Sequence, residues 1–160
     1  MAFLTRETFR ERVILLNSNY WNEGWKYRWQ YMSQAIEWAR ELRPMGIVEA
    51  GASGIPLDNT SVLLDYPEYD LNLTPYNFPY KSVDLFIALQ TWEHLDKQSD
   101  AFREVMRISK AAILSFPYRW TWGDERHRGV GDAKISEWTC GVAPDKVAVI
   151  NHRKVCLWMF

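Results

Sequence analysis

Two apolar runs with an amphipathic segment between them set the narrowest limit on how this chain folds. Val83 to Leu89 is almost unbroken apolar sequence opened by Asp84, and Ala111 to Phe116 is a second such run, closed by Pro117. Runs that are apolar on both faces suit parallel strands covered by helices on each side. Between them Phe102, Val105, Met106 and Ser109 recur at helical spacing, which leaves Arg103, Glu104 and Arg107 to face outward. Strand, helix and parallel strand make one right-handed crossover, and an open sheet of this kind carries its ligands at the carboxyl ends of the strands. Gln90-Thr91-Trp92-Glu93-His94-Leu95 follows the first run directly, so it falls at such an end.

A second strand-and-turn signal lies upstream. Ile47-Val48-Glu49 reads as a strand ending in an acid, and Gly51-Ala52-Ser53-Gly54 as the turn behind it. Glycine permits positive φ and lets a ligand approach the backbone closely. A nicotinamide dinucleotide suits this turn poorly. Its fingerprint needs a third glycine and an acid about 20 residues on, whereas Asp65 comes 14 residues after Gly51. Ser61 to Asp65 reads as another strand ending in an acid. Only 33 residues separate Gly51 from Asp84, and one crossover takes roughly 30. The sheet is therefore predicted to be reduced around its second and third strands, and Pro56, Asp58, Asn59 and Thr60 oppose a long helix after the turn.

The rest of the chain flanks this core. Thr5 is placed to cap a first helix, with Leu4 and Phe9 as a staple across the cap and Phe9, Val13 and Leu16 as its buried stripe. A second helix is predicted from about Tyr20 to Leu42. Trp21, Trp25, Trp29, Met32 and Ile36 share one face of it, flanked by Tyr27, Tyr31 and Trp38. Such a stripe is core or interface, and it offers a surface for a homo-oligomer. Near the other end, Lys134 to Cys140 has helical character, and Lys146 to Ile150 and Lys154 to Phe160 form a hairpin around Asn151-His152-Arg153.

At 160 residues the chain is expected to be one domain, with N-terminal helices over 1–43 and an α/β core over 45–160. A net charge of −1 gives no overall pull toward nucleic acid or anionic membrane, so neither is expected as a partner. Cys140 and Cys156 lack metal-like spacing and read as core thiols of a reduced compartment, with no metal. Without an 18-residue apolar run or a signal-peptide pattern, a soluble cytoplasmic protein is expected.

In order along the chain, Val83-Asp84-Leu85-Phe86-Ile87-Ala88-Leu89, Trp92-Glu93-His94-Leu95 and Ser115-Phe116-Pro117 resemble the class I S-adenosylmethionine-dependent methyltransferases, especially their small-molecule branch. The resemblance extends more loosely over residues 45–160. It implies a Rossmann-like sheet, mostly parallel with an antiparallel C-terminal hairpin, and S-adenosylmethionine as cofactor. Glu49 would orient the turn and the cofactor's amino group, and Gly51, Ala52, Ser53 and Gly54 would form the cofactor loop, one glycine short of the family's pattern. Asp65 would accept from the ribose hydroxyls, since a carboxylate offers two acceptors to a vicinal diol. Asp70, followed by Leu71, stands either beside the adenine amino group or as the ribose ligand itself. Gln90, Thr91 and Trp92 would complete the cofactor site. The helix before the first strand would cover the methionine end, where Arg28 or an aromatic contributes.

For catalysis the resemblance points to the loops over the same edge. His94 is placed to act as a base near neutral pH. Asp124 and His127 are further acid/base candidates in the loop Tyr118 to Gly129, where Arg119, Arg126 and Arg128 are suited to an anionic acceptor. The implied activity is methyl transfer to a small molecule or a sugar-containing (glycan) acceptor. The irregular turn and the missing crossover also suit a non-catalytic domain of the same fold, acting as a binding or assembly partner.

Overall fold

A computed structural model describes residues 2–121 and 129–160. The six strands are β1 (Ile47–Ala50), β2 (Val62–Leu64), β3 (Val83–Leu89), β4 (Ser109–Pro117), β5 (Lys146–Ile150) and β6 (Arg153–Met159). They form one sheet in the order β2-β1-β3-β4-β6-β5. The first four run parallel and the last two pair antiparallel, a mixed α/β sheet as expected. The hairpin turns at Asn151 and His152, both with positive φ, which suits the twist of the strands it joins.

Alternation along the central strands sends side chains to two apolar layers. Phe86, Ala88, Ala112, Leu114 and Trp158 face the helix α4 (Gln98–Ile108), whose Ala101, Phe102, Val105 and Ile108 are buried. Leu85, Ile87, Ile113 and Leu157 face α3 (Trp25–Leu42) and its Met32, Ala35, Ile36 and Ala39. At the amino ends of the strands, the Asp84 carboxylate accepts from the amides of Met45 (2.9 Å) and Gly46 (3.1 Å) and pairs with Lys110 (2.7 Å). One acid at the head of β3 thus pins its neighbours on both sides.

Several expectations need correction. The N-terminal region holds three helices rather than two: α1 (Arg6–Leu16), α2 (Asn19–Asn22) and α3. The long aromatic helix breaks because Gly24 adopts positive φ ahead of Trp25. Thr5 does cap α1, but Leu16 is exposed while Phe9 and Val13 are buried. Trp25 and Trp29 are only partly buried, and Tyr31 and Trp38 join the core. Glu104 and Arg107 do not simply face solvent. They pair with each other (2.7 Å), Arg107 donates to the carbonyls of Tyr76 and Phe78, and Glu104 accepts from the Tyr76 amide. The helix α5 (Asp132–Trp138) starts two residues earlier than its sequence pattern suggests.

The reduction of the sheet is visible directly. β2 is a three-residue edge strand, and residues 65–82 contain no strand. No helix occupies residues 51–61, so β1 passes to β2 through turns alone.

Candidate functional site

The chain leaves β1 toward β2 on one side and returns to β3 on the other, so the loops after β1 and β3 diverge. Such a switch point opens a crevice beyond the strand ends. Here it is a cleft of about 830 Å³ whose walls include Gly51, Asp65, Asp70, Gln90 and His94.

Glu49 holds the loop behind this cleft. Its buried carboxylate accepts from the amides of Leu57 (2.7 Å) and Asp58 (3.0 Å) and from the Ser61 hydroxyl (2.5 Å). Burial raises its pKa, opposed by those three hydrogen bonds, while nearby Asp58 adds to the rise. Both oxygens are engaged by the chain's own loop. With no helix to order residues 55–61, a buried acid gathers their backbone donors instead.

Gly51 has φ +70°, and a Cβ there would lie 2.2 Å from Thr91 Oγ1 and 2.9 Å from Thr91 Cγ2. The glycine is needed for close approach: the residue after β3 packs directly onto the turn after β1. Thr91 Oγ1 in turn donates toward the carbonyls of Ala50 (3.3 Å) and Leu89 (3.2 Å). Ser53, also at positive φ, lines the cleft, and its carbonyl accepts from the Trp21 indole (3.2 Å). Ala52 borders a smaller void of about 30 Å³ beneath the turn, together with Tyr31 and Met32. Gly54 turns away and faces Leu16 of α1.

On the opposite wall, Asp65 Oδ1 accepts from the Ala52 amide (2.8 Å) and so clips the end of β2 to the glycine turn. Asp70 Oδ1 accepts from the Asn72 amide (2.9 Å) and side chain (3.0 Å). Asp65, Asp70 and Leu71 all border the cleft, with Tyr66 and Tyr69 beside them. Asn72 carries a role that sequence reasoning missed. Its side-chain oxygen accepts from the amides of Asp96 (2.8 Å) and Lys97 (3.0 Å), tying the β2 side to the start of α4. The Asp-x-Asn spacing, typical of an Asx turn, was the available signal. Tyr20 was assigned only to a helix, yet it borders both the cleft and the smaller void.

Gln90, at positive φ, donates its amide (2.9 Å) and side chain (3.1 Å) to Ser115 Oγ of β4. Trp92 requires correction. It is fully buried beneath the cleft, edge-on to Phe102 with ring centroids 6.4 Å apart, and forms none of the wall. The turn Trp92–His94 drives the indole into the apolar layer under α4, where its area belongs. His94 lies on the wall, 4.0 Å from the Glu93 carboxylate. Asp124 and His127, with Arg126 and Arg128, lie outside the described residues. Arg119 pairs with Asp132 (3.2 Å).

Among the described residues no group of three His, Cys, Asp or Glu could hold a metal ion, and no helix is long and apolar enough to cross a membrane.

No family model matches the sequence, and no curated protein matches it. The fold does have known counterparts among S-adenosylmethionine-dependent methyltransferases. The methyltransferase domain of bacterial CtHen1 superposes with a TM-score of 0.57 at 11% identity, covering 83% of this chain and 99% of that one. Magnesium protoporphyrin IX methyltransferase from Synechocystis PCC 6803, solved with bound SAH, gives 0.55 at 11% identity over 82% of each chain. The 16S rRNA methylase RmtB gives 0.53 at 11% identity over 98% of this chain and 75% of its own. The chain therefore has the class I methyltransferase fold, as its central segment led us to expect.

The last of these counterparts overturns the exclusion of nucleic acid. A methylase of rRNA carries the same fold, so nucleic-acid acceptors stay open. Net charge failed as a criterion because it averages over the surface. Here Arg10, Arg6 and Lys26 gather 4.8, 5.8 and 5.9 Å from the Trp25 ring, a local basic patch on a chain of net charge −1.

Proposed function

We propose that the cleft binds S-adenosylmethionine and that the protein transfers its methyl group to a small-molecule or sugar-containing acceptor. The observation that carries this is Asp65. It stands at the carboxyl end of β2, clipped through one oxygen to the glycine turn, with its carboxylate on the cleft wall. That arrangement suits a ribose diol, since among the described residues the second oxygen accepts from no amide. Asp70, Leu71 and Tyr69 offer an acceptor and apolar surface for the adenine, and Gly51 and Ser53 offer backbone at close range. These residues fit the cofactor at its nucleoside end.

When bound, the cofactor supplies a methyl group already activated by a sulfonium leaving group, so the protein's work is largely positioning. His94, on the same wall, would take the proton that an oxygen or nitrogen acceptor gives up. The fold's counterparts act on acceptors as different as a porphyrin and rRNA, which supports methyl transfer in general more than any one acceptor.

Calorimetric titration with S-adenosylmethionine and S-adenosylhomocysteine tests the proposal. Asp65→Asn keeps an oxygen for the Ala52 amide and removes the charge offered to the diol. It should weaken binding roughly ten- to a hundredfold, the range of a hydrogen bond to a charged group. Equal affinity in variant and parent would remove Asp65 from the site. A folded parent protein that binds neither ligand at millimolar concentration would favour a second reading, a non-catalytic domain of this fold. The full commitment of Glu49 to its own loop and the missing helix after Gly54 speak for that reading.

A further inference from the structure

Beyond the cleft, two arginines stand beside Tyr31 at the same edge of the sheet. Arg28 lies on the first turns of α3, one turn before Tyr31. Its guanidinium sits 3.8 Å from the centroid of the Tyr20 ring and 5.5 Å from that of Trp21. Arg153 opens β6, with its guanidinium 5.7 Å from the Tyr31 ring and 4.3 Å from the Trp120 ring. Tyr31 is buried between the two elements, with its phenol pushed up to about 12 by burial. The Nε atoms of both arginines are buried, and neither has an acceptor among the described residues.

The neighbours of Arg153 pull in opposite directions. Burial lowers the Arg153 pKa, and Arg28 lowers it further, while Glu93, largely buried, acts in the opposite sense. Asp132 is already shared by Tyr118, Arg119 and Lys154. Among the described residues Glu93 is the carboxylate that acts on Arg153, and each guanidinium keeps a buried Nε–H without an acceptor. Such a pair is costly unless an anion completes it, and the planar guanidinium suits carboxylate and phosphate oxygens.

Position decides which anion. Arg153 pairs with Pro117 at the carboxyl end of β4, and β6 stands two places from β3 and three from β1. At ordinary strand spacing those are about 10 and 14 Å. Arg153 is thus remote from the glycine turn but level with the far side of the loop that carries His94. Tyr20, under Arg28, borders the cleft.

We infer that Arg28 and Arg153 form an anion subsite at the rim of the cleft, and that the acceptor molecule carries a carboxylate or phosphate group held there. The acceptor half of this inference rests on the methyl-transfer reading; the anion site does not.

Inorganic phosphate is the first probe, followed through the Nε–H resonances of Arg28 and Arg153 in the folded chain. Both signals should shift saturably with phosphate and stay put with sodium chloride at equal ionic strength. No difference between the two salts would overturn the inference. Arg153→Lys keeps the charge and loses the planar fork, so phosphate should bind at least threefold more weakly, with near-ultraviolet circular dichroism reporting that the fold is kept. The same variant should bind S-adenosylhomocysteine within about twofold of the parent. A loss beyond tenfold for S-adenosylhomocysteine, without loss for methylthioadenosine, would mean that the pair holds the cofactor's own carboxylate, and the acceptor subsite would fall. If phosphate saturates both signals while the parent binds no S-adenosyl ligand, the anion site stands and methyl transfer, with the acceptor's role, is rejected.

Discussion

Two of the parallel connections in this sheet solve one problem by different means. From β3 to β4 the chain goes through an 11-residue helix that buries Ala101, Phe102, Val105 and Ile108 against the strands. From β1 to β2 it has no helix, and three carboxylates hold the connection: Glu49 gathers residues 57, 58 and 61, Asp58 receives Thr60, and Asp65 receives Ala52. The first connection is held by apolar area, the second by hydrogen bonds to buried or half-buried charge. Area is forgiving of small geometric change, whereas a buried carboxylate depends on every donor it has. The cleft lies between these two kinds of support.

The comparison breaks most visibly on the apolar side. Phe102 is fully buried and meets Trp158 (5.3 Å between ring centroids), Phe160 (5.9 Å) and Trp92 (6.4 Å) edge-on. Phe102→Ala should cost about 3–5 kcal/mol, seen as a lower urea midpoint for the whole domain. A loss below about 1 kcal/mol would mean that α4 is not what anchors β3 to β4. Gly51→Ala comes next, where the two connections touch. Positive φ costs a Cβ-bearing residue about 1–2 kcal/mol, and overpacking against Thr91 adds about 1–3. Thr91→Ala in the same chain should restore part of the loss, because Thr91 Oγ1 and Cγ2 are the atoms in the way. Full additivity of the two changes would refute the contact.

On the carboxylate side, Glu49→Ala leaves the amides of Leu57 and Asp58 without their acceptor. A loss of about 2 kcal/mol follows from stranding buried donors. Unlike the Phe102 change, it should appear first as local hydrogen exchange at Leu57 and Asp58, with β3 and β4 still protected. Simultaneous loss of protection across the sheet would erase the distinction between the two supports.

How much of this was legible in the sequence follows the same division. Apolar periodicity announced β3 to the residue and the presence of α4 and β4, because burial of area is written into residue type, although Ser109, read with the helix, opens β4 two residues before the apolar run. The short spacing from Gly51 to Asp84 announced the reduced sheet. The break at Gly24 was missed because the aromatic stripe keeps its period across it, and a single glycine does not reveal its φ. Trp92 was misplaced because its neighbours Gln90, Thr91 and His94 reach the cleft, and the direction of a short turn after a strand is set by packing below it. The Arg28–Arg153 approach joins residues 125 positions apart and left no local pattern to read.

The smallest expected effect sharpens the comparison through its sign. Asp84, at the amino ends of the strands, has its pKa lowered first by the Lys110 hydrogen bond and then by the Met45 amide. Its contribution is present above the unfolded value of 3.8 and is lost as pH falls below that toward the folded value. Glu49 runs the other way. Burial raises its pKa above 4.5, so the folded chain keeps a proton that the unfolded chain releases, and stability declines as pH rises through that window. Asp84→Asn should therefore flatten the stability profile below pH 3.8 and leave the region above 4.5 alone. The Lys110 partner is mostly exposed, which holds the effect below about 1 kcal/mol. Urea titrations at closely spaced pH values resolve it. Equal slopes below pH 3.8 in parent and variant would show that the pin at the amino end of the sheet carries no net electrostatic stabilisation, leaving the glycine-turn side as the place where buried charge shapes this fold.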